Sequence, residues 1–83
     1  MTHYKVKIFT KDNCAYCVKA KNWLDTHNIQ YEQFKIVDEE TKKVFLQTVG
    51  ENVRTVPQIY LNDVRIGGYT ELMNNTHLFL EKN

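Results

Sequence analysis

A segment of helical length set between two apolar runs of strand length leaves the first half of this chain little freedom. In the first run Tyr4, Val6 and Ile8 alternate with Lys5 and Lys7 before Phe9 adds a second apolar face. That pattern predicts a strand over residues 4–10 that becomes buried towards its carboxyl end. From Ala15 onwards Cys17, Ala20 and Leu24 recur at helical spacing, with Val18 and Trp23 beside them, which predicts a helix ending near His27 and Asn28. Asp12 and Asn13, in the turn that begins at Lys11, are the expected helix-start residues. A second strand is expected over residues 29–37, with Phe34 and Ile36 on one face. Because a whole helix separates the two strands, they are expected to run parallel through a right-handed crossover.

Asp38 opens the next helix, whose first turn is acidic (Glu39, Glu40), whose stripe is Val44, Phe45, Thr48 and Val49, and whose stop is Gly50. A polar connection then runs into Pro57, the only proline. Two short apolar runs, Gln58 to Leu61 and Val64 to Ile66, flank Asn62-Asp63 and predict an antiparallel hairpin. Gly67-Gly68 breaks it. Tyr69, Leu72, Met73, Thr76, Phe79 and Leu80 then predict one helix over residues 69–81. The order is β-α-β-α-β-β-α, an α/β thioredoxin-like layout in which a four-stranded mixed sheet is flanked by three helices. Residues 1–83 are expected to form a single domain, with no repeat or linker.

The only two cysteines, Cys14 and Cys17, fall where the first strand gives way to the first helix. Two thiols three apart at a helix start suit reversible dithiol chemistry. Cys14 precedes the first turn, where unpaired N–H groups, the positive end of the helix dipole and the nearby Lys11 all favour its thiolate. It is therefore assigned as the nucleophile. Cys17, one turn further on, is expected to be less exposed and to attack a mixed disulfide formed at Cys14. A zinc site would need four ligands, and no second cysteine pair matches the first, so no metal is expected.

With 42% hydrophobic and 25% charged residues and a net charge of +1, the chain has neither the charge excess of a disordered segment nor the basic bias of a nucleic-acid binder. Lysines stand where a signal peptide would need its apolar stretch, and no run approaches a membrane span, so a cytoplasmic protein is expected. Trp23, Phe34, Phe45 and Phe79 read as core, with Tyr31 and Tyr60 partly so. His3, His27 and His77 read as surface residues.

Over nearly the whole chain these residues resemble the glutaredoxin family. Cys14-Ala15-Tyr16-Cys17 is similar to the family's Cys-Pro-Tyr-Cys motif, Thr55-Val56-Pro57 to its Thr-Val-Pro loop, and Gly67-Gly68-Tyr69-Thr70-Glu71 to its Gly-Gly motif followed by an acid. Ala15 is the one departure, standing where the family usually has proline. The resemblance implies glutathione as co-substrate, with Pro57 in the cis form and the Val56 backbone open to an extended peptide. Thr70 and Glu71 would hold the γ-glutamyl end, Glu71 taking its amine, and Gly68 and Tyr69 would also belong to the glutathione site. Lys11, Gln47 and Arg54 would be candidates for the glycine carboxylate and Tyr16 would line the groove, with Thr55 also at the glutathione site.

The function expected on these grounds is glutathione-dependent reduction of protein disulfides and of glutathione mixed disulfides by a monomer. Ribonucleotide reductase is a possible client by resemblance. Two alternatives stand beside it: a redoxin recycled by thioredoxin reductase, and a carrier in which glutathione and Cys14 from two subunits hold an iron–sulfur cluster.

Overall fold

The computed structural model describes residues 5–80. Its elements are β1 (Val6–Thr10), α1 (Ala15–Thr26), β2 (Glu32–Lys35), α2 (Glu39–Val49), β3 (Gln58–Leu61), β4 (Val64–Gly67), α3 (Tyr69–Asn74) and α4 (Thr76–Leu80). The sheet order is β2-β1-β3-β4. β1 and β2 run parallel, as the intervening helix requires, and the other two pairings are antiparallel.

Strand alternation divides the core into two faces. Val6 and Ile8 of β1 and Ile59 and Leu61 of β3 meet Ala20 and Leu24 of α1, Leu72 of α3 and Phe79 of α4. On the other face Phe9 packs against Phe34, Phe45 and Tyr60, with ring centroids 5.4, 5.3 and 6.2 Å apart. The first face is the deeper one, since Ile8, Ala20, Leu24, Ile59 and Leu72 are wholly buried. Each large side chain removed from water there contributes about 1.5–3 kcal/mol.

Local signals set the junctions. Asn62 and Asp63 both lie in the left-handed region (φ 51° and 69°), the backbone that a two-residue hairpin turn demands and that Asn and Asp tolerate. Asn62 also exchanges hydrogen bonds with the Lys5 backbone at 2.8 and 2.9 Å, tying the hairpin to the start of β1. Asp38 caps α2 reciprocally: the Thr41 N–H donates to Asp38 Oδ1 at 2.8 Å, and the Asp38 N–H donates to Thr41 Oγ1 at 3.0 Å. Hydrogen bonds from Thr41 hold the Asp38 carboxyl below its ordinary range. Gly50 ends the helix at φ +99°.

The structure departs from the sequence reading in three places. The last segment is two helices rather than one, so four helices flank the sheet. Asn75 interrupts it: the side-chain Nδ2 donates to Glu71 O at 2.8 Å, and the backbone leaves helical geometry at φ −127°. β2 is shorter than residues 29–37, because the Ile29 N–H donates back to Leu24 O at the end of α1 and the Val37 N–H donates to Thr41 Oγ1. The cap of α1 is Cys14 itself, not Asp12 or Asn13. Asp12 instead pairs with Lys35 at 2.9 Å, and Asn13 takes φ 59° to turn the chain. The expected contributions of Tyr4, His3 and Glu81 lie outside the described residues.

Candidate active site

Cys14 and Cys17 are joined as a disulfide, their Cα atoms 5.2 Å apart. Cys14 is half-buried, whereas Cys17 is buried at 1% exposure beside Ala20 and Leu24 on the inner face of α1. As the helix N-cap, Cys14 has an extended backbone, and its Sγ accepts the Cys17 N–H at 3.2 Å. A backbone donor aimed at that sulfur is one that stabilises negative charge on it. The same Sγ lies 3.6 Å from Val56 O. The N-cap cysteine thus faces the loop before β3, and the deeper one lies beneath it.

That loop carries a cis bond between Val56 and Pro57. Together with the start of α3 it frames a groove of about 160 Å³ lined by Tyr16, Thr55, Val56, Pro57, Gly68, Tyr69, Thr70 and Glu71. The two glycines before α3 are needed for this closeness. A Cβ on Gly67, which sits at φ +123°, would lie 2.7 Å from Glu71 Cγ. A Cβ on Gly68 would lie 3.3 Å from Pro57 O. Glu71 folds back so that Oε1 accepts the Gly68 N–H at 2.7 Å, half of a capping box that fixes the start of α3.

Eight of the eleven residues expected at a glutathione site therefore border one groove. Lys11, Gln47 and Arg54 do not line it; all three are exposed. Sequence reasoning missed Lys19, whose Nζ lies 5.4 Å above the Tyr16 ring and 6.0 Å from that of Tyr69. Those two rings stack with centroids 5.8 Å apart. The three-residue step from Tyr16 to Lys19 on α1 was the available signal. It also missed Gln58, buried at 4% exposure just after Pro57.

A larger open hollow of about 600 Å³ lies between the end of α1 and β2, lined by Asp25, Asn28, Ile29, Gln30 and Tyr31. Burial and then Asp25 push the Tyr31 hydroxyl above its usual range. The chemistry lies instead with the smaller groove, whose Val56 carbonyl is 3.6 Å from Cys14 Sγ. Among the described residues no group of three or more His, Cys, Asp or Glu side chains is placed to hold a metal ion. None of the helices described is long and apolar enough to cross a membrane.

The sequence matches the glutaredoxin family over residues 6–66. The chain belongs to that family. Glutaredoxin 1 of Escherichia coli is 39% identical over 70 residues, covering 77% of this chain and 82% of that protein. The crystal structure of glutaredoxin 1 from Francisella tularensis, complexed with cacodylate, superposes with a TM-score of 0.84 at 37% identity, covering 96% of this chain and all of that one. A buckwheat glutaredoxin solved as its glutathione complex has the same fold, with a TM-score of 0.75 at 24% identity over 92% of this chain and 71% of that one. This glutaredoxin is accordingly a thiol-disulfide oxidoreductase with a Cys14–Cys17 redox pair.

Proposed function

We propose that this glutaredoxin reduces protein disulfides and glutathione mixed disulfides with electrons from glutathione. The observation that carries the reading is the groove beside Cys14, where the Val56 backbone stands opposite Thr70 and Glu71 at the start of a helix. Glutathione is a short extended peptide with an amine and two carboxylates, and such a groove offers it backbone pairing along its length and an acid for its amine.

The Cys14 thiolate, favoured by the Cys17 N–H, attacks one sulfur of a substrate disulfide. A Cys14–substrate disulfide forms and the other sulfur leaves as a thiolate. With a protein disulfide, Cys17 then attacks Cys14 Sγ, closing the Cys14–Cys17 disulfide and expelling the second substrate thiolate. One glutathione thiolate opens that disulfide, leaving Cys14 glutathionylated and Cys17 free. A second attacks the glutathionyl sulfur and departs as glutathione disulfide, returning both electrons. With a glutathionylated protein, Cys14 takes the glutathionyl group directly and only the last step is needed. A half-buried attacking sulfur above a buried resolving one suits this order. A glutathione pool implies a reducing compartment, and we place the protein in the cytoplasm as a monomer, with ribonucleotide reductase among its disulfide clients.

The test is to assay Cys14→Ser and Cys17→Ser with a glutathionylated peptide and with a protein disulfide, glutathione being the sole reductant. Cys14→Ser is expected to lose both activities, and Cys17→Ser to keep deglutathionylation while losing protein-disulfide reduction. Activity retained by Cys14→Ser sinks the nucleophile assignment, and a parent protein inert with glutathione sinks the reading itself.

A further inference from the structure

Gln58 is a polar side chain buried at 4% exposure, and such a group is stable there only when its amide is satisfied. Its Nε2 donates to Thr55 O at 3.1 Å and lies 3.3 Å from Thr55 Oγ1. Its Oε1 accepts from Arg65 Nη1 at 3.2 Å. The backbone of Gln58 pairs with Phe9 of β1, so the amide stands on the fixed frame of the sheet.

Two pieces of elementary geometry turn these contacts into an orienting device. A guanidinium only donates, so Arg65 requires the amide oxygen and leaves the amide NH₂ facing Thr55. In a planar trans peptide the C=O and the following N–H point in opposite directions, so drawing the Thr55 carbonyl towards Gln58 turns the Val56 N–H the other way. No acceptor takes that N–H among the described residues, and Val56 lines the groove beside Cys14.

We propose that Gln58 and Arg65 are positioning residues: Arg65 sets which way round the Gln58 amide sits, and the amide in turn presents the Val56 N–H to a peptide in the groove. The inference rests on the functional reading above in taking that peptide to be glutathione. It assigns to this reaction two side chains that touch neither thiol and border no part of the groove. A hydrogen bond from Val56 that must be re-aimed on binding weakens capture of the glutathionyl group. It leaves sulfur exchange at Cys14 unaltered once the group is bound. The consequence is a change in KM without one in kcat.

The test compares the parent with Gln58→Met, Arg65→Met and Arg65→Lys. Steady-state deglutathionylation of a peptide is measured, together with the Val56 N–H residual dipolar coupling in weakly aligned, ¹⁵N-labelled protein. Gln58→Met is expected to raise KM by about fivefold to tenfold at unchanged kcat, the effect of one hydrogen bond. It should shift the Val56 coupling while leaving those of Ile59 and Tyr60 in place. Arg65→Met should move both readouts the same way, and Arg65→Lys should restore most of the loss, because an ammonium also donates to Oε1.

Unchanged KM and an unchanged Val56 coupling in Gln58→Met overturn the proposal. So does a parallel fall in kcat and kcat/KM that Arg65→Lys fails to rescue. Should Gln58→Met not fold, Arg65→Met decides alone, since Arg65 is exposed. A parent inert with glutathione removes the functional reading only, and the Val56 coupling then judges the orienting device by itself.

Discussion

Replacing Gly67 with alanine tests how tightly the groove is built. The residue sits at φ +123°, a backbone that side chains other than glycine adopt at a cost of about 1–3 kcal/mol. The new methyl would lie 2.7 Å from Glu71 Cγ and 2.9 Å from Glu71 Cβ. Rotation can move Cγ aside, but Cβ is fixed to the helix, so α3 must shift. Swinging Glu71 away also breaks its 2.7 Å bond from the Gly68 N–H. A hydrogen bond to a charged acceptor contributes about 1.5–3 kcal/mol, and the lower end applies to this exposed one. Strain and lost cap together come to about 3 kcal/mol. For a domain of this size that lowers Tm by roughly 12–24 °C.

The assay is thermal and urea unfolding of the oxidised protein, read by circular dichroism and Trp23 fluorescence, in a double-mutant cycle with Glu71→Ala. In the Glu71→Ala background the cap is already gone and only the strain and the Cβ contact remain, so Gly67→Ala should cost about 1.5 kcal/mol less there. Equal costs in the two backgrounds, within about 0.5 kcal/mol, would show that Glu71 is not the obstacle and refute the argument.

Ala15→Pro should stabilise the fold by about 0.4–1 kcal/mol, raising Tm by a few degrees in calorimetry. Ala15 is the first residue of α1, where proline loses no helical hydrogen bond, and Cys14 before it already has the extended backbone (φ −116°, ψ 105°) that a following proline requires. At α2 the sign follows from the Asp38 carboxyl, whose folded value lies below its ordinary 3.8. Its stabilisation is present above that ordinary value and fades as the pH falls through the folded one. Asn still caps a helix but carries no charge, so the Tm advantage of the parent over Asp38→Asn should shrink in melts taken from neutral pH down through 3.8.

Where one rule dominated, the chain could be read directly. The alternation at Val6 to Phe9, the helical spacing from Cys17 to Leu24 and the Asn62-Asp63 turn each specify a single local geometry, and the structure adopts each. Asn75 was invisible because Leu72, Met73, Thr76, Phe79 and Leu80 keep helical spacing across it, while the break comes from a side-chain bond to Glu71 O. Asp12 and Asn13 are good caps by type, but a cysteine sulfur took the position because the turn placed it there. At the groove, residues fixed by backbone motifs fell together. Lys11, Gln47 and Arg54 did not, since solvated side chains leave no packing pattern from which to place them. Gln58 is not legible in the sequence, because an amide inside an apolar strand shows its purpose only through its partners Thr55 and Arg65.

The outer strands of the sheet also bear on how the protein behaves in a crowd. An unpaired strand edge is a template on which another chain can grow, and long, flat, apolar edges do so most readily. Here β2 and β4 have four residues each. Glu32, Gln33 and Lys35 stand exposed along one edge and Arg65 on the other. A copy adding itself to either edge would gain only a few backbone bonds while stripping water from charged groups. Val64, 63% exposed, is the sole apolar foothold on β4, and Asp63 beside it acts as a gatekeeper. Neither edge of the sheet is therefore a good template for an added strand.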